Sequence, residues 1–321
     1  MSYTEGTAQD TNTLAGLLRI NDANLSDVEF NDVIQPTQFI QALPFELASR
    51  GTQHSWTVIT QAPGVGFRVL NEGISNAAGK EQTITANLKL LDASFARDAA
   101  TLVSPRMTRE QYMQRETMKS INAALTKLEY QFIRGTGAEA GGFPGLADIM
   151  NLWGSMGLDV NGNGGTRVYM LSLSADRIAG ILGSGTVGNE GNLDVSDIYR
   201  TEGDGATTGK LGKLRVDVTG WMGLQIAGSY SGAVAFNVDG TSGKTVDDDL
   251  LAELYTSFPT QHNSAVNAIL MSRTGLKQLR DSMVTDLIPS PPFPTAWGGA
   301  GRPIPIIVSD AINDAEVKNE S

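Results

Sequence analysis

Residues 108–137, "TREQYMQRETMKSINAALTKLEYQFIRGTG", read as one uninterrupted helix. Thr108 and Gln111 have capping-box spacing: the Thr hydroxyl accepts from a free backbone N–H while the Gln side chain reaches back to the cap. Met118, Ile121, Leu125, Leu128 and Phe132 recur every three or four residues, opposite Glu116, Lys119, Ala123 and Lys127, which predicts a single apolar stripe. Gly135 and Gly137 mark its end. At 1.5 Å per residue the predicted helix, 108–134, is roughly 40 Å long, about the width of a whole domain. A stripe of that length needs an elongated body to lie on.

The segment before the helix has the period of strands. "WTVIT" (56–60), a turn at Pro63-Gly64, "GFRVLNEG" (66–73), a tip "ISNAAGK" (74–80) and "EQTITANLKLL" (81–91) read together as a hairpin. Ile84, Ala86, Leu88 and Leu90 alternate with Thr83, Thr85, Asn87 and Lys89, which predicts one apolar face. A two-stranded hairpin is marginal by itself, so that face needs a cover. Upstream, residues 1–50 are polar and broken by Pro36 and Pro44, which reads as an extended arm with one or two short helical turns.

Beyond the helix, "RVYMLSL", "KLRVDVT", "GLQIAG" and "AVAFNV" read as strands, interleaved with helices at "SADRIAGIL" and "DDDLLAELYTSF". Glycine-rich connections "GSGTVGNEGN" and "TEGDGATTGK" separate them. "AVNAILMS" reads as a strand, "RTGLKQLRDSM" as a helix capped by Ser272, and "IPIIVSDAI" as a closing strand.

Composition narrows the function classes. The 321 residues are 40% hydrophobic and 18% charged, as in a globular protein long enough for two lobes. A formal net charge of -11 gives no basic face of the kind that holds nucleic acid. Without cysteine there is neither a disulfide nor a thiolate metal site. The N-terminus lacks a basic segment followed by an apolar core, and no apolar run approaches the roughly 18 residues of a membrane span, so the reading is a soluble chain made in the cytoplasm.

Motifs that could carry chemistry are each incomplete. "GSGTVG" (Gly183, Gly185, Gly188) has the letters of a dinucleotide fingerprint but not the predicted strand-to-helix setting. "GTSGKT" (240–245) ends like a phosphate loop, yet Val238 stands where its first glycine belongs. "DVNGNGG" starts like a calcium loop through Asp159, Asn161 and Asn163, but its twelfth position is Met170 rather than a carboxylate. Asp247, Asp248 and Asp249 are explained as N-terminal helix acids. With His54 and His262 the only histidines, no zinc-protease pair is possible. Expected are no catalytic residues, no cofactor and no metal.

The order of parts, with "GFRVLNEG", the helix ending "YQFIRGTG", the following "GGFPGL" and the closing "RPIPIIVSDAI", resembles the major capsid proteins of tailed bacteriophages, the Hong Kong 97-like fold that encapsulins share. The resemblance implies an α+β fold: an N-terminal arm (1–50), an extended β-hairpin loop (51–98), a peripheral domain (99–159 and 262–321) with spine helix 108–134, and a mixed α/β axial domain (160–261). It implies a structural, non-enzymatic major capsid subunit that self-assembles as hexamers and pentamers into an icosahedral shell. That shell would enclose double-stranded DNA without sequence-specific binding, and would be located in the virion after synthesis in the host cytoplasm. Scaffolding, portal and decoration proteins are the further partners the family offers; no membrane is involved. Trp56, Phe67, Arg68, Lys80, Ile84, Leu88 and Leu90, all on the hairpin, are the expected subunit-interface residues. Two alternatives stay open: an encapsulin-type compartment, and a soluble enzyme using carboxylates of the 160–260 lobe.

Overall fold

The computed structural model describes residues 38–70, 73, 78–100, 108–137, 141–150, 156–184, 194–204, 210–241, 243–263, 265–284, 291–298 and 302–314. Most of the expected arm, part of the hairpin tip and most of "GSGTVGNEGN" lie outside them. In chain order the elements open with α1 (Gln38–Ala42), β1 (Phe45–Leu47), β2 (Gln53–Gln61), β3 (Lys80–Asn87), β4 (Lys89–Asp92), β5 (Phe95–Asp98) and α2 (Arg109–Arg134). There follow α3 (Leu146–Met150), β6 (Gly157–Asp159), β7 (Thr166–Leu171), β8 (Ile178–Leu182), β9 (Asp194–Val195), β10 (Tyr199–Asp204), β11 (Lys210–Val216), β12 (Val218–Ile226) and β13 (Gly232–Val238). The last are α4 (Asp248–Thr256), α5 (Thr260–Asn263), β14 (Ala268–Met271), α6 (Arg273–Ser282), β15 (Ala296–Trp297) and β16 (Ile304–Val308).

The chain divides into two units. The described part of the first lies within Leu91–Lys127 and Leu193–Gly220. Its antiparallel sheet has the order β10-β11-β5. Tyr112 and Met113 of α2 are buried there with Val216 and Val218, and Phe95, Ile121, Ile198 and Leu214 pack around them. The predicted capping box forms: Gln111 N–H donates to Thr108 Oγ1 at 3.2 Å, and Thr108 N–H to Gln111 Oε1 at 3.0 Å. The predicted stripe holds at Leu128 and Phe132, which are buried, but not at its start, where Met118 is exposed and Glu116 buried. Arg97 Nη2 lies 2.9 Å from Glu116 Oε2 and Lys119 Nζ 3.2 Å from Oε1, so the buried carboxylate is satisfied where an apolar residue was expected.

The second unit, Pro36–Leu90 with Leu128–Asn192 and Trp221–Ser321, holds a six-stranded mixed sheet in the order β15-β16-β14-β7-β13-β6. Central β7 is buried on both faces and pairs antiparallel with β13 and β14. One face of this sheet, including Val168, Met170, Ala235, Ile269 and Met271, packs with Leu251 and Leu254 of α4 and Leu279 of α6. The predicted caps are present: Leu250 N–H donates to Asp247 Oδ1 at 2.8 Å and Gly275 N–H to Ser272 Oγ at 3.1 Å.

Several expectations are corrected here. "SADRIAGIL" contains strand β8, not a helix: it pairs parallel with β1 and antiparallel with β12, and burial on both faces erases the alternation that would mark a strand. "GFRVLNEG" contributes no strand through Leu70. Residues 38–50 are not an arm, because Phe39, Leu43 and Ala48 are buried and β1 joins a sheet. Nor does the hairpin extend to 98, since β5 pairs with β11. The boundaries expected at 159/160 and 261/262 both cut the six-stranded sheet, where β6 pairs with β13 and β14 with β7.

Candidate assembly surface

The hairpin of β2 and β3 forms a separate two-stranded sheet, in register from Gln53 opposite Asn87 to Ile59 opposite Glu81. Ser55 and Thr85 share a hydroxyl contact at 2.9 Å across it. Among the described residues no third strand joins either edge. Ile59, Val65, Phe67, Val69 and Leu70 are all exposed, Val65 and Phe67 almost completely. Solvent contact on that scale by large apolar side chains in one short segment is what a binding surface shows, whereas scattered single exposures are ordinary.

The expected interface residues divide. Phe67, Arg68, Lys80, Ile84 and Leu90 are exposed, and Trp56 is half-buried with its Nε1 buried and without a hydrogen-bond partner. Leu88 does not belong with them. It is 3% exposed, packed with Ala48, Ala179 and Ile181, so it anchors the hairpin's foot to its own unit. The alternation that placed it beside Ile84 and Leu90 breaks at Leu88, between β3 and β4. Sequence reading missed Ile59, Val65, Val69 and Leu70; the signal available was apolar residues in a stretch that also carries Pro63 and two glycines.

The two glycine-rich motifs near 160 and 240 meet each other. Asp159 Oδ1 accepts from Asn161 N–H at 2.8 Å and from Asn237 Nδ2 at 2.9 Å, and Lys244 Nζ donates to the Asn161 carbonyl at 2.5 Å. The Thr241 hydroxyl, the Thr241 N–H and the Asn163 N–H hold the Asp239 carboxyl down at about 2. Side-chain and backbone donors therefore occupy these carboxylates, and an ammonium sits on the carbonyl. Gly240 and Gly243 have φ of 80° and 77°, conformations suited to glycine, and form a tight turn in which Gly240 N–H donates to the Lys244 carbonyl. Among the described residues no group of three potential metal ligands occurs, and no described helix is long and apolar enough to cross a membrane.

No protein-family model matches the sequence, and no curated protein matches it. Solved structures do. A near-atomic cryo-EM structure of bacteriophage Epsilon15 aligns over 100% of both chains with a TM-score of 0.60 at 14% identity. The bacteriophage JBD30 capsid aligns over 95% of this chain and 99% of its own, with a TM-score of 0.50 at 7% identity. The holo-SrpI encapsulin complex of Synechococcus elongatus reaches 0.49 at 9% identity, over 70% of this chain and 96% of its own. The chain has the Hong Kong 97-like capsid fold.

Proposed function

We propose that this chain, folded as those phage capsid proteins are, is the shell-forming subunit of a tailed-phage head, and that copies of it close into an icosahedral capsid around double-stranded DNA. The observation that carries the reading is the hairpin, whose apolar residues Val65 to Leu70 and two unpaired strand edges form a surface that another copy of the chain would cover. In this reading the hairpin is the extended loop and α2 the spine helix. The negative total charge suits a container whose contents must not adhere to its wall. A shell role asks for no catalysis.

Electron microscopy of the purified chain, alone and co-expressed with the scaffolding protein of its genomic neighbourhood, tests the proposal. Closed shells of uniform diameter are expected. A monodisperse monomer at high concentration under both conditions would refute it, and shells loaded with an enzyme in place of DNA would redirect it to a compartment protein.

A further inference from the structure

The foot of the hairpin is held by one histidine whose two ring nitrogens have fixed and opposite duties. Ser49 N–H donates to His54 Nδ1 at 3.2 Å, so Nδ1 must carry a lone pair. On the other side of the ring, His54 Nε2 lies 2.7 Å from Gln225 Oε1. Gln225 is buried, and its Nε2 donates to the Ala175 carbonyl at 3.0 Å, which fixes the amide's orientation and leaves only an acceptor toward the histidine. Nε2 must therefore carry the proton. The neutral Nε2–H tautomer satisfies every partner; an imidazolium would set an Nδ1–H donor against the Ser49 N–H donor.

We propose that His54 is a proton-operated latch: its neutral ring holds Ser49 against the foot of β2, and uptake of a proton at Nδ1 ejects Ser49 and loosens the turn that leads into that strand. Ser49 clips the strand twice, since its Oγ also accepts from Ser55 N–H at 3.0 Å. Losing its place on the ring loosens both ties. The release is one-sided. The bond to Gln225 survives protonation, and the foot of β3 stays anchored by buried Leu88, whose N–H donates to the Thr52 carbonyl at 2.8 Å. Among the described residues the ring's hydrogen-bond and stacking partners are Ser49, Gln225 and Trp56, whose ring centroid lies 5.7 Å away, with Ala86 opposite on β3; none of these is charged. The turn at the foot of β2 would loosen in acid, whether or not the chain forms shells.

The test uses the full-length chain. Hydrogen–deuterium exchange, corrected for intrinsic rates, is read on peptides spanning 53–61 and 80–87 at pH 7.5 and 5.5, with 166–171 as the internal reference. Protection of the 53–61 peptide is expected to fall between pH 7.5 and 5.5. His54→Asn keeps an acceptor for Ser49 and does not titrate, and its hairpin protection should be the same at both values. Unchanged protection in the natural chain, or an equal fall in His54→Asn, overturns the latch. Independently, 15N spectra of the two histidines at pH 7.5, assigned with His262→Asn, should show His54 with a bare Nδ1; a proton on Nδ1 also overturns it.

Discussion

Ser309 Oγ donates to Glu129 Oε1 at 2.5 Å in the buried interior, tying the end of the closing strand β16 to helix α2. Burial pushes the Glu129 carboxyl above its ordinary range, against the opposing pull of Ser309 and of the backbone N–H groups of Ile40 and Phe39 in α1, while Asp310 adds to the rise. A raised acid favours folding below its unfolded value, about 4.3, and that contribution is lost as pH rises through the folded value. Glu129→Gln cannot ionise. The difference in thermal midpoint between the natural chain and the variant should shift in the variant's favour as pH rises from 4 to 7; a constant difference over that range would contradict the assignment.

Glu116 has the opposite sign. Burial alone would raise its carboxyl, but the hydrogen bond from Arg97 and the charge and hydrogen bond of Lys119 bring it below the ordinary value. Its contribution is present at neutral pH and disappears as pH falls through the lowered folded value. Arg97→Met removes one charged hydrogen bond from a buried acid, and a loss of about 1.5–3 kcal/mol at pH 7 is expected in urea unfolding. A loss under about 0.5 kcal/mol would mean that Lys119 alone suffices.

Leu88 and Phe67 belong to one hairpin but to different equilibria. Leu88→Ala opens a cavity against Ala179 and Ile181 and should cost the subunit about 2–5 kcal/mol. Phe67→Ala removes a side chain that touches solvent, so subunit stability should change by less than about 0.5 kcal/mol while shell yield drops. Chemical denaturation and sedimentation of the assembled fraction separate the two effects.

Gly145 marks where the helix end meets "GGFPGL". A Cβ there would stand 2.6 Å from the Gln131 carbonyl, 2.7 Å from that of Phe132 and 2.9 Å from Gly135 N, all backbone atoms that cannot rotate away. Gly145 N–H donates to the Gly135 carbonyl at 2.8 Å, and Gln131 Nε2 to the Phe143 carbonyl at 2.6 Å. Gly145→Ala should destabilise by about 1–3 kcal/mol or more, measured as a lowered melting temperature.

Local chemistry made much of this legible in advance. Thr108 with Gln111, Asp247 and Ser272 each supply a short-range bond that depends only on neighbours in sequence, and all three caps form. The long helix and the strands at "RVYMLSL" and "AVAFNV" follow from period and β-branched content. What failed depends on distant partners. β8 looked helical because Ile178 and Ile181 stand three apart, on one face of a helix but on opposite faces of a strand, and only burial of both strand faces with pairing to β1 and β12 makes it a strand. Glu116 looked solvent-facing until Arg97 came beside it. At the candidate surface, the hairpin's strands β2 and β3 were readable in "WTVIT" and "EQTITANLKLL", but not the irregular path from Ala62 to Leu70, along which Val65, Phe67 and Leu70 stay exposed.

The strand order of the large sheet also dictates a timetable. β7 sits at its centre: Val168 pairs with Ala235 on one side but finds its other partner only at Met271, and β14 in turn waits for β16, where Met271 meets Val308. A ribosome releasing the chain leaves the apolar "VYML" of β7 half-covered until β14 has emerged, and β14 half-covered until β16 has. Non-local pairing of this kind closes slowly, because the loop entropy is lost before the contacts form. The large sheet therefore closes only once β16 is available, and truncation before Ile304 should yield an aggregating chain in place of a smaller folded one.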